Sequence, residues 1–181
     1  MRFHVPLLVT LLAASIGSVS THRASAADLK PGDKAPGFVL KASDGKSYKL
    51  ADFQGKKVVV LAWFPKAFTP GCTLECKSFG AKDSPLKKLD VAYFTASVDS
   101  AETNRKFAES LGVEFPILGD PDGKVARAYG VVDDHQKFAR RWTFYIGVDG
   151  RILEIDKDVH CASHAADVAK KLHELGVKAK P

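Results

Sequence analysis

The chain has 181 residues, with 27 lysines and arginines against 21 aspartates and glutamates, and a formal net charge of +6. The lysines are scattered and form no basic stripe interleaved with aromatics, so nucleic acid is not an expected partner. Three cysteines are too few to staple a fold together, and their odd number leaves one unpaired or puts the thiols to chemical use.

Residues 1–26 read as a cleaved secretory signal. Arg2 and His4 precede an apolar run from Val5 to about Val19, and small residues follow, ending in Ala24-Ser25-Ala26. The run carries Pro6, Thr10 and Gly17 and falls short of the ~18–20 apolar residues of a membrane span. The expectation is cleavage after Ala26, export to the bacterial periplasm, and no membrane attachment afterwards. Residues 27–181 then form one domain, long enough to bury a core.

Phe38 to Leu40 and Ser47 to Leu50 flank Asp44-Gly45 as a predicted hairpin. Val58 to Trp63 is a continuous apolar run, as expected of a strand buried on both faces. Pro65 to Gly71 is a loop, and a short helix is expected to start near Cys72 and stop by Gly80. Val91 to Val98 is the next strand. Ser100 caps a predicted helix over Ala101 to Leu111, with Phe107 and Leu111 on one face. A short strand over Phe115 to Leu118 and a short helix over Lys124 to Tyr129 follow. Trp142 to Val148, a turn at Asp149-Gly150 and Ile152 to Ile155 predict a second hairpin. Ala165 to Leu175 is the closing helix, stopped by Gly176. This alternation predicts a single α/β domain.

The chemistry concentrates in Trp63-Phe64-Pro65-Lys66-Ala67-Phe68-Thr69-Pro70-Gly71-Cys72-Thr73-Leu74-Glu75-Cys76. Cys72 follows a buried strand and a Pro-Gly pair and enters the first turn of a helix. Free backbone N–H groups and the positive end of the helix dipole favour an anion there. A thiolate is the reactive form that peroxide converts to a sulfenic acid. A buried structural cysteine is the plainer reading of the same position.

Pro65, Thr69 and Cys72 spell P-x-x-x-T-x-x-C, and Arg141-Trp142-Thr143-Phe144 opens a later strand. On these two motifs, and from about Leu29 to Val177, the sequence resembles the peroxiredoxins. Within them it is similar to the bacterioferritin-comigratory, or Q-type, branch, whose motif is close to F-x-P-K-x-x-T-P-G-C-T-x-E. The resemblance implies a thioredoxin-like sandwich with a central mixed sheet and an N-terminal β-hairpin extension. It implies a thiol-dependent peroxidase that reduces hydrogen peroxide and organic hydroperoxides through a sulfenic acid at Cys72. A disulfide would follow, reduced by a thioredoxin-like or other thiol donor, in a monomer or weak homodimer without cofactor or metal. By the same resemblance Thr69 offers its hydroxyl to the thiolate and the peroxide. Arg141 holds the thiolate and the developing charge, and Pro65 shields the site.

Glu75 falls in the first helical turn, where a carboxylate suits the dipole but opposes ionisation of a nearby thiol, and no catalytic part is assigned to it. His160-Cys161-Ala162-Ser163-His164 offers too few donors for an expected metal site.

The branch usually carries a second cysteine five residues after the first, whereas Cys76 is four after Cys72. Cys76 and Cys161 are therefore both candidate resolving cysteines. In an intact helix residues four apart have Cα atoms roughly 6 Å apart but nearly parallel Cβ bonds, so a Cys72–Cys76 bridge requires the first turn to unwind. Cys161 precedes the last helix on the active-site edge, an expected two strands and about 10 Å away. The expected order is Cys76, then Cys161, then direct reduction by an outside thiol. A rival reading is a copper-handling protein of the SCO type, with Cys72, Cys76 and His135 as ligands. Pro65, Thr69 and Arg141 have no task in it. A thiol–disulfide exchanger would carry C-x-x-C, which is absent.

Overall fold

The computed structural model describes residue 1 and residues 28–180. The expected secretory signal, its first residue excepted, and the cleavage after Ala26 lie outside the described residues.

The domain opens with a hairpin of β1 (Val39–Ala42) and β2 (Ser47–Lys49). Its turn follows from two residues. Asp44 Oδ1 accepts from the Lys46 N–H at 3.0 Å, and Gly45 takes φ +81°, which a side chain would oppose. There follow β3 (Val58–Trp63), α1 (Pro70–Gly80), β4 (Val91–Ser97), α2 (Ala101–Leu111) and β5 (Ile117–Gly119). α3 (Lys124–Ala128), β6 (Thr143–Ile146), β7 (Ile152–Asp156) and α4 (His164–Glu174) complete the order. Every expected element is present, with ends displaced by one or two residues. α2 begins and ends as its sequence implies. Ser100 Oγ accepts from the Thr103 N–H at 3.1 Å, and Gly112 closes the helix in the left-handed region.

The strands form one mixed sheet in the order β2-β1-β5-β4-β3-β6-β7. β3, β4 and β5 run parallel, and every other neighbouring pair is antiparallel. The result is the expected thioredoxin-like sandwich, with the N-terminal hairpin extending the sheet beyond β5. β3 shows why its sequence is uniformly apolar. Val59, Leu61 and Trp63 enter one core with Phe94, Tyr129 and Phe144, while Val60, Ala62 and Phe64 enter the other with Cys76, Phe79 and Phe107. Each large side chain so buried contributes roughly 1.5–3 kcal/mol. α1, α2 and α4 cover the second face, and α3 packs on the first. Among the described residues no helix is long and apolar enough to cross a membrane.

This topology brings three distant segments to one end of the sheet. Ala62, near the end of β3, pairs with Thr143 at the start of β6, and Thr143 pairs with Asp156 at the end of β7. The loop leaving β3, the residues entering β6 and the loop leaving β7 therefore share one edge.

Candidate active site

The loop leaving β3 is anchored from β4. Asp99 Oδ2 accepts from the Ala67 N–H and from Ser97 Oγ, both at 2.9 Å. Phe68 takes φ +64°, a left-handed backbone in a residue other than glycine. Its ring lies 5.1 Å from that of Phe107. Such strain persists only where the surroundings over-determine it, and it clusters at functional sites. Pro65, half-buried, opens the loop and lines a cleft of about 530 Å³ with His135, Phe138 and Arg140.

α1 starts at Pro70, two residues before the expected point. Proline suits the first helical position because its missing N–H would have no partner there. Cys72 thus sits in the first turn, fully buried. Thr69 stands just outside the helix, and its hydroxyl donates to the Lys66 carbonyl at 2.9 Å. Among the described residues it makes no hydrogen bond to Cys72 in this geometry.

Arg141 comes from the segment entering β6. Its Nη2 donates to Cys72 Sγ at 3.3 Å, and its Nη1 donates to Glu75 Oε2. Burial works against the guanidinium charge, but Glu75, then Cys72 and Cys161, outweigh it and raise the pKa. Arg141 therefore keeps a permanent positive charge against the sulfur.

Glu75 corrects the sequence reading, which gave it no part. It is a fully buried counter-ion, its Oε1 lying 2.9 Å from His164 Nδ1, and His164 Nε2 in turn lying 2.8 Å from Thr143 Oγ1. Three residues after Cys72, it projects from the same helix face, where β6 delivers Arg141. A buried carboxylate is costly without partners, and this one has two.

The two other thiols differ sharply. Cys76 is buried, with Sγ 3.8 Å from Thr95 Oγ1 on β4. Burial, and then the Glu75 charge, push its pKa far up, so it stays a neutral thiol. Cys161 is half-buried in the loop leaving β7. A Cβ placed on Gly71 would meet both Cys161 Sγ and Arg141 Nη2 at 3.4 Å. Cys161 thus flanks the residue before Cys72. The expected two-strand offset is real for the strands, but the loop leaving β7 returns across it. All three cysteines are free.

Among the described residues no three His, Cys, Asp or Glu side chains stand together in a group able to hold a metal ion. Cys72, Cys76 and His135 therefore do not assemble as copper ligands, and His164 serves Glu75. Sequence reasoning missed the parts of Glu75, His164, Thr143 and Asp99. Glu75 carried a signal, since it occupies the last position of the motif quoted above. Thr143 lay within the second motif, and His164 and Asp99 carried no signal that local sequence could reveal.

Comparison with known proteins adds to this geometry. The profile of the AhpC/TSA family matches residues 31–155. Peroxiredoxin Bcp of Escherichia coli K12 is 35% identical over 152 residues, covering 81% of this chain and 97% of its own length. Peroxiredoxin Bcp of Bacillus subtilis is 33% identical over 153 residues, covering 81% and 97%. The crystal structure of peroxidoxin BcpB from Mycobacterium tuberculosis superposes with a TM-score of 0.72 at 28% identity, covering 81% of this chain and 98% of that one. A structure of Xylella fastidiosa PrxQ superposes with a TM-score of 0.74 at 25% identity, covering 83% and 99%.

Proposed function

The chain belongs to the AhpC/TSA family, and on that footing we propose that it is a thiol-dependent peroxidase with Cys72 as its peroxidatic nucleophile. The observation that carries this assignment is the Arg141 guanidinium held against Cys72 Sγ in the first turn of α1. The Cys72 thiolate attacks one peroxide oxygen, an S–O bond forms and the O–O bond breaks. The sulfur is oxidised to a sulfenic acid. The other oxygen takes up a proton and leaves as water, or as an alcohol when the substrate is an organic hydroperoxide. Negative charge develops on that leaving oxygen, and a fixed cation beside it lowers the barrier. Arg141 supplies that cation, Thr69 turns its hydroxyl from the Lys66 carbonyl to the bound peroxide, and Pro65 walls the entrance.

The geometry favours Cys161 over Cys76 as the resolving cysteine, reversing the order expected from helix spacing and strand offset. Cys76 is a buried neutral thiol inside an intact helix, whereas Cys161 is accessible and borders Gly71. The Cys161 thiol attacks the sulfenic sulfur, water leaves, and a Cys72–Cys161 disulfide remains for an outside thiol donor such as thioredoxin to reduce. The composition of residues 1–26 supports export to the periplasm, where the enzyme works as a monomer or weak homodimer.

The test is peroxide consumption by the reduced protein and by Cys72→Ser, with mass spectrometry of each cysteine. Turnover by the wild-type chain and none by the variant is the expected result. Substantial peroxide reduction by Cys72→Ser overturns the assignment.

A further inference from the structure

We propose that His164 is a positioning residue for Cys72, acting through Glu75 and Arg141, and this inference rests on the peroxidase reading above. Arg141 faces two acceptors, the Glu75 carboxylate and the Cys72 sulfur. Arginine and carboxylate readily pair through two parallel hydrogen bonds, with both terminal nitrogens on both oxygens. In that arrangement each terminal nitrogen spends one N–H on the carboxylate and keeps a second, so what changes is the direction the guanidinium faces, toward Glu75 instead of Cys72. Here Glu75 gives Arg141 one oxygen only. Oε2 accepts from Nη1, and Oε1 is occupied by His164 Nδ1 at 2.9 Å. Arg141 Nη2 is thereby left to Cys72 Sγ at 3.3 Å.

His164 is itself held so that it can do this. It is 1% exposed, at the first position of α4. Its Nε2 meets Thr143 Oγ1 at 2.8 Å, and its ring stands edge-on to Phe79 at 5.0 Å between centroids. Both ring nitrogens are engaged, so the ring has one orientation. With Nδ1 donating to Glu75, Nε2 accepts from the Thr143 hydroxyl. Thr143 and Arg141 lie two residues apart at the start of β6, so one segment carries the guanidinium and the anchor of the histidine that governs it.

A histidine that merely fills its hydrogen bonds in a core makes a different prediction from one that governs Arg141. Asparagine places an amide nitrogen close to where Nδ1 lies, and glutamine places one close to where Nε2 lies. His164→Asn therefore keeps the donor to Glu75 and gives up Thr143. His164→Gln keeps Thr143 and leaves Glu75 Oε1 free to take Arg141 Nη2.

The experiment is the rate of Cys72 oxidation by hydrogen peroxide, read by rapid quench and mass spectrometry. His164→Gln slows it roughly 10-fold or more, on the scale of a partly withdrawn oxyanion donor. His164→Asn recovers most of that loss. In an Arg141→Ala background His164→Gln has no further effect, because it acts only through the guanidinium. A wild-type rate in the Gln variant, equal losses in Asn and Gln, or an undiminished Gln effect without Arg141 each overturn the proposal. Should the Gln variant not fold, the Asn variant decides alone, and a rate as low as that of Arg141→Ala counts against it. If peroxide leaves Cys72 unoxidised in the wild-type chain, the peroxidase reading fails first and takes this inference with it.

Discussion

Arg141 Nη2 stands 3.3 Å from Cys72 Sγ although the two residues are 69 positions apart. Strand pairing creates the contact. The Trp63 N–H donates to the Trp142 carbonyl at 2.8 Å, which places the residue before Trp142 beside the loop that follows Trp63. The helix end alone offers Cys72 partial charges, while the sheet adds a full one.

Arg141→Ala is expected to slow Cys72 oxidation by roughly 10²-fold or more, the scale of a lost oxyanion donor. Arg141→Lys restores little, because one ammonium cannot serve Glu75 and Cys72 at fixed angles. Thr69→Val alone is slow as well, and the double variant is less impaired than the product of the single losses, since both residues serve one reacting unit. Second-order rate constants with hydrogen peroxide check this. An unimpaired Arg141→Lys, or fully multiplicative losses, would count against it.

Non-reducing peptide mapping after one equivalent of peroxide is expected to yield a Cys72–Cys161 disulfide, which persists in Cys76→Ser and disappears in Cys161→Ser. A Cys72–Cys76 peptide in the wild-type protein restores the order read from helix spacing. A sulfenic acid with no disulfide points to direct reduction by an outside thiol.

Burial and the Glu75 charge raise the Cys76 pKa above its ordinary value near 9. Below that ordinary value the folded and unfolded chains both hold the proton. As pH rises past it, the unfolded chain ionises at Cys76 and the native chain does not, so stability falls. Cys76→Val removes that part of the alkaline decline. In the native protein iodoacetamide labels Cys161 well before Cys76 at about pH 9, and urea abolishes the difference. Equal native labelling of the two would show that Cys76 is accessible and ionised.

Asp120 is buried and accepts from the Ala126 N–H at 2.7 Å. Burial pushes its carboxyl up to about 6, the Ala126 bond pulls the other way, and Asp122 adds to the rise. The native state thus holds this proton more tightly than the unfolded one. Stability is full below about pH 4 and declines as pH rises through about 6. Asp120→Asn keeps a carbonyl acceptor and carries no charge. It is expected to stabilise the fold by on the order of 1–2 kcal/mol at pH 7 and to lose that advantage near pH 4. Urea unfolding at the two pH values measures it, and a pH-independent difference would contradict this account.

The exported protein is expected to begin at Ala27. Intact-mass analysis of the periplasmic fraction checks the cleavage position, and retention of residues 1–26 there would refute the signal reading.

The sequence by itself determined the order and nature of the elements, because hydrophobic periodicity and the glycines, prolines and caps that interrupt it act within a few residues. Ser100, Gly112 and the apolar run of β3 could be read directly for that reason. It also singled out Cys72, whose strand, loop and helix start are contiguous in the chain. Strand order was not legible from periodicity, only implied by the family resemblance, and the site depends on it. Only the pairing of β3 with β6 and of β6 with β7 brings Arg141, Cys161 and His164 to the end of the sheet where Cys72 lies. Glu75 was given no catalytic part because its position in a first helical turn is local information. Its burial depends on α4 and β6 closing over α1, and its two donors arrive from residues 66 and 89 positions away. The same holds for the thiols. Spacing favoured Cys76 because spacing measures distance along a helix, whereas the loop that carries Cys161 back to Gly71 is placed by the packing of α4 against α1.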